Sequence, residues 1–161
     1  MKRTMQVIII TSFVLYAFIL LRLLFFTSRG YWSNMPLFEY AKYSSNIIPL
    51  KTIVGYISAL SDGRMNTDIP IRNLVGNILA FMPMGFYLPF ICSKLSKGKV
   101  YICIVVAIIF AVEVLQLLTR RGVFDVDDII LNNIGALIGF AICSCTPIRG
   151  LFKYRLDRKV D

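Results

Sequence analysis

The chain has 161 residues, a net charge of +9 and 57% hydrophobic residues, and its mean hydropathy is +0.71. Soluble domains are about 45–50% apolar, so this composition favours a membrane protein of one domain, residues 1–161. The chain contains no histidine, and its four cysteines lack zinc-type spacing. We therefore expect no metal and no cofactor, and no nucleic-acid-binding module is visible.

Four apolar segments are long enough to cross a bilayer, whose hydrocarbon core of about 30 Å needs about 20 helical residues. The first follows Lys2 and Arg3 and is longer than the apolar region of a signal peptide, so we interpret it as a retained helix. The second contains Pro83 and Pro89, which membrane helices tolerate. The predicted segments are about 5–26, 73–92, 100–118 and 126–145.

The long first loop, residues 27–72, contains a pattern of its own. Its apolar residues follow an i, i+3, i+4, i+7, i+10 spacing, which describes one face of a helix. Ser61, Asp62 and Gly63 then end the pattern with turn chemistry. We expect a short amphipathic helix that lies on the outer leaflet or packs across the mouth of the bundle, with a face made of Leu50, Ile53, Val54, Ile57 and Leu60.

Lysine and arginine indicate the orientation, because cytoplasmic loops are enriched in both. Basic residues occur at the amino terminus, between the second and third segments, and in the carboxyl tail. With four spans these regions share one side, so we expect both termini in the cytoplasm and the first and third loops outside. The residues are Lys2, Arg3, Lys94, Lys97, Lys99, Arg149, Lys153, Arg155, Arg158 and Lys159.

Polar residues gather at one end of three of the segments, where each set follows helical spacing along one face. On the proposed topology all of them lie at the outer membrane surface and enclose an outward-facing polar pocket. Polar side chains at membrane depth are costly and indicate either a site or a buried polar network. The sets are Asn73 with Asn77, Glu113 with Gln116, and Asp125 with Asp128 and Asn132, and Arg121 lies in the turn between the last two.

Glu113 lies inside the third segment, where an unpaired charge would be expensive. We expect it to pair with Arg120 or Arg121, to accept hydrogen bonds from the asparagines, or to be protonated. A purely structural interpretation also exists, since amides hold membrane helices together and Asp125 could cap the fourth helix. Gly135 and Gly139 form a G-x-x-x-G pair, a helix-packing signature that is also compatible with a homo-oligomer.

These residues carry a resemblance to the VanZ-like family of small bacterial membrane proteins, over residues 46–140. It implies a four-helix membrane fold in the bacterial plasma membrane and a link to low-level resistance to teicoplanin and related lipid-tailed glycopeptides. Asn133 departs mildly from the family pattern, where a threonine is more usual. The motifs are Asn46-Ile-Ile-Pro-Leu-Lys-Thr-Ile53, Asn73-Leu-Val-Gly-Asn-Ile-Leu-Ala-Phe-Met-Pro-Met-Gly85, Glu113-Val-Leu-Gln116 and Arg121-Gly-Val-Phe-Asp-Val-Asp-Asp-Ile-Ile-Leu-Asn-Asn-Ile-Gly135.

The sequence thus predicts an all-α, polytopic protein with four transmembrane helices and a short amphipathic helix in the first extracellular loop. Two functional hypotheses remain open. In the first, the pocket binds the head group of an envelope lipid or lipid-linked precursor, and Arg121 with Lys51 or Arg72 holds its phosphate or carboxylate. In the second, the protein is an intramembrane enzyme acting on a lipid-linked substrate, with Glu113 or Asp128 as general acid or base. The predicted site is Asn46, Asn73, Asn77, Glu113, Gln116, Arg121, Asp125, Asp128 and Asn132.

Overall fold

Each apolar segment forms a helix, because backbone polar groups in hydrocarbon must be satisfied within the segment. The structure is a computed structural model that describes residues 2–26 and 35–145. The basic carboxyl tail used to predict the orientation lies outside the described residues. The helices are α1 (Lys2–Phe26), α2 (Leu37–Ser44), α3 (Lys51–Asp62), α4 (Asp68–Phe81), α5 (Met84–Ile91), α6 (Gly98–Leu118) and α7 (Val126–Cys145).

The four predicted spans are confirmed as helices of sufficient length and apolarity to cross a membrane: Arg3–Phe26, Asp68–Ile91, Gly98–Leu118 and Val126–Cys145. The described residues contain no β-strand, so the all-α prediction is also confirmed. The short helix expected in the first loop is present as α3, and α2 precedes it. The protein is therefore a multi-pass membrane protein.

The second span differs from its prediction in two ways. It begins at Asp68 rather than near Asn73, and it consists of two helices, α4 and α5, that meet at Met82 and Pro83. A proline has no amide hydrogen to donate to the preceding turn, so the helical ladder is interrupted there. The amides of Phe86 and Tyr87 both donate to the Pro83 carbonyl, at 3.1 Å each, and begin the next helix.

Helix α7 packs closely against the second span through its two glycines. A Cβ added to Gly135 would lie 2.1 Å from the carbonyl oxygen of Ile78, and one added to Gly139 would lie 1.9 Å from that of Met82. The two spans can approach this closely only because glycine has no side chain, as in other small-residue helix contacts in membranes. The glycine pair therefore serves packing between helices of one chain, because the glycine face lies against the second span.

The core lies along one stripe of α6, at the spacing of one helical turn. Tyr101, Val105 and Ile109 are fully buried and contact Phe81 and other side chains of the neighbouring spans. The Tyr101 hydroxyl donates to the Ala136 carbonyl at 3.0 Å, which satisfies a polar group that would otherwise be buried alone.

Helix α1 is joined to this bundle more loosely. Large apolar side chains such as Val14, Leu15 and Phe18 are exposed, as expected for a helix that faces lipid. Its buried side carries Tyr16, whose hydroxyl donates to the Ala80 carbonyl at 2.8 Å.

The first and third loops meet at one end of the bundle. The Asn46 amide donates to the Phe124 carbonyl at 2.8 Å, and the Val126 amide donates to the Asn46 carbonyl at 3.0 Å. These two bonds form a short parallel pairing between segments about 80 residues apart in the chain. The pairing holds the first loop at the end of the bundle where α7 begins.

Candidate functional site

The beginning of α7 is held by Asp125, which acts as its N-cap. The Asp125 carboxylate accepts a hydrogen bond from the Asp127 amide at 2.8 Å, the position at which capping side chains act. The Asp125 side chain is only 6% exposed. The capping role considered from the sequence is therefore present, although the same carboxylate also has other partners.

Those partners come from the first loop. The Asn46 side-chain amide donates to Asp125 Oδ1 at 3.0 Å, and the Thr52 hydroxyl donates to Asp125 Oδ2 at 2.6 Å. The Asn46 amide also donates to the Thr52 hydroxyl at 2.9 Å, so the three side chains form a closed triangle. The Asn46-to-Ile53 motif thus fastens the first loop to the start of α7.

Asp127 completes this attachment by capping a helix other than its own. Its Oδ1 accepts a hydrogen bond from the Leu50 amide at 2.5 Å, and its Oδ2 accepts from the amides of Thr52 and Ile53 at 2.7 and 3.1 Å. A carboxylate at a helix N-terminus satisfies unpaired amides and is favoured by the helix dipole. Asp127 is fully buried, and it fixes α3 across the polar end of the bundle. Helix α3 packs on α4 and α7, as expected for a helix across the mouth of the bundle. Leu50, Val54 and Ile57 of its predicted apolar face nevertheless stay exposed.

A second group of polar side chains lies on the bundle side of this attachment. The Asn77 side-chain amide donates to Asp128 Oδ1 at 2.6 Å, and the Asp125 amide approaches Glu113 Oε2 at 3.4 Å. The carboxyl groups of Glu113 and Asp128 are close enough to interact electrostatically. Glu113 and Asn132 are each 2% exposed. We call Asn77, Glu113, Asp128 and Asn132 the acidic cluster.

Tyr56 of α3 lies beside this cluster and was missed by the sequence interpretation. Burial raises the pKa of its phenol above the ordinary value of 10.0, and the carboxylates of Asp128 and Asp125 raise it further. The signal was present in the sequence, because Tyr56 follows Thr52 by four residues and so shares its helix face. Asp127 was also left out of the predicted site, although its two neighbouring acids were included.

Three predicted site residues form their contacts elsewhere. The Asn73 side chain donates to the Ile69 carbonyl of its own helix at 2.9 Å. The Gln116 side chain donates to the Leu24 carbonyl at 2.9 Å and so ties α6 to α1. The Arg121 guanidinium lies over the Phe26 ring, with its central carbon 5.8 Å from the ring centroid.

Of the three states considered for Glu113, the ion pair with Arg120 or Arg121 is not present among the described residues. Within residues 2–26 and 35–145, the one ion pair joins Arg64 and Asp62 on the surface. Arg120 donates instead to the Met35 carbonyl at 2.8 Å. Glu113 accepts no bond from an asparagine either, and its hydrogen-bond contact is with the Asp125 backbone amide.

The acidic cluster does not have the geometry of a metal centre. Among the side chains that the structure describes, no three of the His, Cys, Asp or Glu type come together in a way that could hold a metal ion. What the cluster offers is a set of buried hydrogen-bond acceptors beside a phenol, at the end of a lipid-facing helical bundle.

Comparison with known proteins gives the same assignment as the motifs. No curated protein and no solved structure gives a significant match to the chain. A family model, described as VanZ/LLP1, does match, over residues 13–149, which include α1 from residue 13 onward and every residue of the acidic cluster and of the loop attachment. On this match and on its four membrane-spanning helices, the chain belongs to the VanZ/LLP1 family.

Proposed function

We propose that this protein binds the head group of an envelope lipid or lipid-linked precursor at the acidic cluster, and that this binding contributes to low-level resistance to teicoplanin and related lipoglycopeptides. The observation that carries the proposal is the convergence of Asn77, Glu113 and Asp128 at one end of a bundle whose sides face lipid, with the buried Asn132 one helical turn after Asp128. A lipid head group enters such a site from the bilayer surface, whereas its acyl chains stay in the membrane. Family membership supplies the link to glycopeptides.

The proposed location is the bacterial plasma membrane, with both termini in the cytoplasm and the acidic cluster at the outer surface. Lys94, Lys97 and Lys99 at the opposite end of the bundle support this orientation. Single cysteines at Val123 and Lys97, both exposed positions, in a cysteine-free background test it. A membrane-impermeant thiol reagent should label the Val123→Cys protein in intact cells and the Lys97→Cys protein only after lysis, and the reverse pattern would contradict the orientation.

Drug susceptibility tests the proposed function directly. Glu113→Gln and Asp128→Asn replace the two carboxyl groups of the acidic cluster with amides of nearly the same shape. We expect both variants to lose the protection against teicoplanin that the unchanged protein gives at equal expression. Asp62→Asn is the matched control, because Asp62 is an exposed acid whose contact is with Arg64 on the surface. Full protection by both cluster variants would contradict the proposal.

An enzymatic role is the second candidate, and one observation favours it. Two buried carboxyl groups within electrostatic range of each other, Glu113 and Asp128, are an arrangement used for general acid and base catalysis. Mass spectrometry of envelope lipids from cells with and without the protein distinguishes the two functions. A covalent change in a lipid that depends on both carboxyl groups would support catalysis, and identical lipid profiles would count against it.

A further inference from the structure

Hydrogen-bond donors are distributed unequally among the acids at the polar end of the bundle. Asp125 and Asp127 accept bonds at both carboxylate oxygens, from the first loop and from neighbouring amides. By contrast, no donor among the described residues reaches the second oxygen of Glu113 or of Asp128, whose partners are confined to Glu113 Oε2 and Asp128 Oδ1. The first pair of acids therefore has a structural role, and the second pair retains open acceptors.

Asn132 adds an independent observation. Its side-chain oxygen is completely buried and has no hydrogen-bond partner in the part of the chain that the structure describes. Asn132 follows Asp128 by four residues, so both side chains lie along the same face of α7, one turn apart. Buried polar atoms in folded proteins are nearly always satisfied, and one without a protein partner calls for a partner of another kind.

The open atoms have the same chemistry, because each is an oxygen that accepts hydrogen bonds and two belong to acids. Such a set does not suit a phosphate or a carboxylate, which also presents only acceptors and carries like charge. A quaternary ammonium is cationic but has no hydrogen to donate. A primary ammonium is a compact cation with three donors and no acceptor, which complements the set in both charge and hydrogen bonding.

We propose that the acidic cluster binds the primary ammonium group of an amine-bearing lipid head group through Glu113, Asp128 and the side-chain oxygen of Asn132. This inference rests on the proposed function and names the chemistry of the group that is bound. It also revises the role of the basic residues. Arg121 contacts the Phe26 ring. Lys51 is exposed and precedes Thr52, which bonds to Asp125. Arg72 is exposed and lies five residues before Asn77 in α4. Lys51 and Arg72 suit the phosphate of a zwitterionic head group whose amine lies inward.

Binding of defined lipids to the full-length protein tests the inference. Short-chain phosphatidylethanolamine and phosphatidylcholine share a phosphate and acyl chains but differ in whether the nitrogen carries hydrogens. Native mass spectrometry of the protein with each lipid should show about tenfold or greater preference for phosphatidylethanolamine, the difference expected for a lost charge-assisted contact. Equal binding of the two lipids would overturn the proposal.

Variants assign the preference to the acidic cluster. Glu113→Gln, Asp128→Asn and Asn132→Ala should each reduce the preference toward equality, whereas Asp62→Asn should retain it. Three variants are used because a buried substitution can impair folding, and the thermal unfolding midpoint of each protein identifies those that remain folded. A preference that survives in every folded cluster variant would place the amine elsewhere and refute the inference.

Free amines distinguish a lipid ligand from a soluble one. Ethanolamine added at concentrations well above that of the lipid should displace phosphatidylethanolamine weakly, and choline should not displace it. Displacement by ethanolamine at concentrations similar to those of the lipid supports an ammonium site but assigns it to a soluble amine. Lipid binding that depends on Glu113 but shows no preference for an amine would refute this inference and leave the proposed function intact. Amine-selective binding in a protein whose cluster variants still protect fully against teicoplanin would support this inference and contradict the proposed function.

Discussion

Replacing Asp127 with alanine should release α3 from the end of the bundle. The substitution removes the acceptor of three backbone amides, those of Leu50, Thr52 and Ile53, at 2.5, 2.7 and 3.1 Å. Losing a capping side chain costs about 0.5–2 kcal/mol, and each hydrogen bond to a charged group contributes about 1.5–3 kcal/mol. Because these contributions overlap and water can replace part of them, we expect the opening free energy of α3 to fall by about 3 kcal/mol.

Amide hydrogen exchange of the protein in lipid nanodiscs measures this opening, since exchange in a locally unfolding segment follows its local free energy. A loss of about 3 kcal/mol corresponds to roughly 100-fold faster exchange at the three amides. Asp127→Asn retains one acceptor oxygen and should give an intermediate rate. The exchange of the α6 core around Val105 should change little, because that segment lies deep between the spans.

The control is Asp62→Ala, at the opposite end of the same helix. Asp62 is an exposed acid paired with Arg64, and exposed ion pairs contribute about 0–1 kcal/mol. Exchange of the three amides should therefore stay within a few-fold of the unchanged protein. The reasoning would be refuted by an Asp127→Ala protein whose α3 exchanges no faster than that of the control.

Three other predictions concern packing, a buried hydroxyl and a titration. Gly135→Ala should lower the free energy of unfolding, measured with denaturant, by about 1–3 kcal/mol through overpacking. Gly76→Ala is the control and should not lower it, because nothing lies within 4 Å of the added Cβ. Equal losses in the two variants would contradict the close helix contact. Tyr101→Phe should lose about 1 kcal/mol in the same assay, because its buried hydroxyl donates to a carbonyl, and an unchanged midpoint would count against that bond. Tyr56 should ionise above its ordinary pKa of 10.0, so its contribution to stability is present below pH 10 and falls as pH rises further. Asp128→Asn should lower the pKa of Tyr56 in an NMR titration of labelled tyrosine, and an unmoved midpoint would show that the two groups do not interact.

The attachment of the first loop has a consequence for function, because it separates two roles within one set of acids. Asp125 and Asp127 hold α3 in place, and α3 in turn positions Tyr56 beside Asp128. Substitutions at the structural pair should therefore impair the acidic cluster indirectly, through movement of α3. Substitutions at Glu113 should act on the cluster without releasing that helix, which makes hydrogen exchange and ligand binding separable measurements.

Properties that depend on neighbouring residues could be predicted from the sequence alone. Hydropathy over about 20 residues identified the four spans, and the spacing of apolar residues identified α3. The polar faces of α4, α6 and α7 were also predictable, and the contact of Asn77 with Asp128 confirms that two of them meet. A membrane makes such predictions effective, because it requires each span to satisfy its own backbone and penalises isolated polar groups.

The partner of each polar group was decided only by the tertiary structure. Asp127 binds amides 74 to 77 positions earlier in the chain, Glu113 lies against a backbone amide instead of an arginine, and Gly135 contacts the Ile78 carbonyl of α4. Periodicity defines which face of a helix a residue occupies, but not which of several helices that face meets. That choice depends on how the spans cross and how the loops close, and both are settled by packing among residues far apart in the sequence.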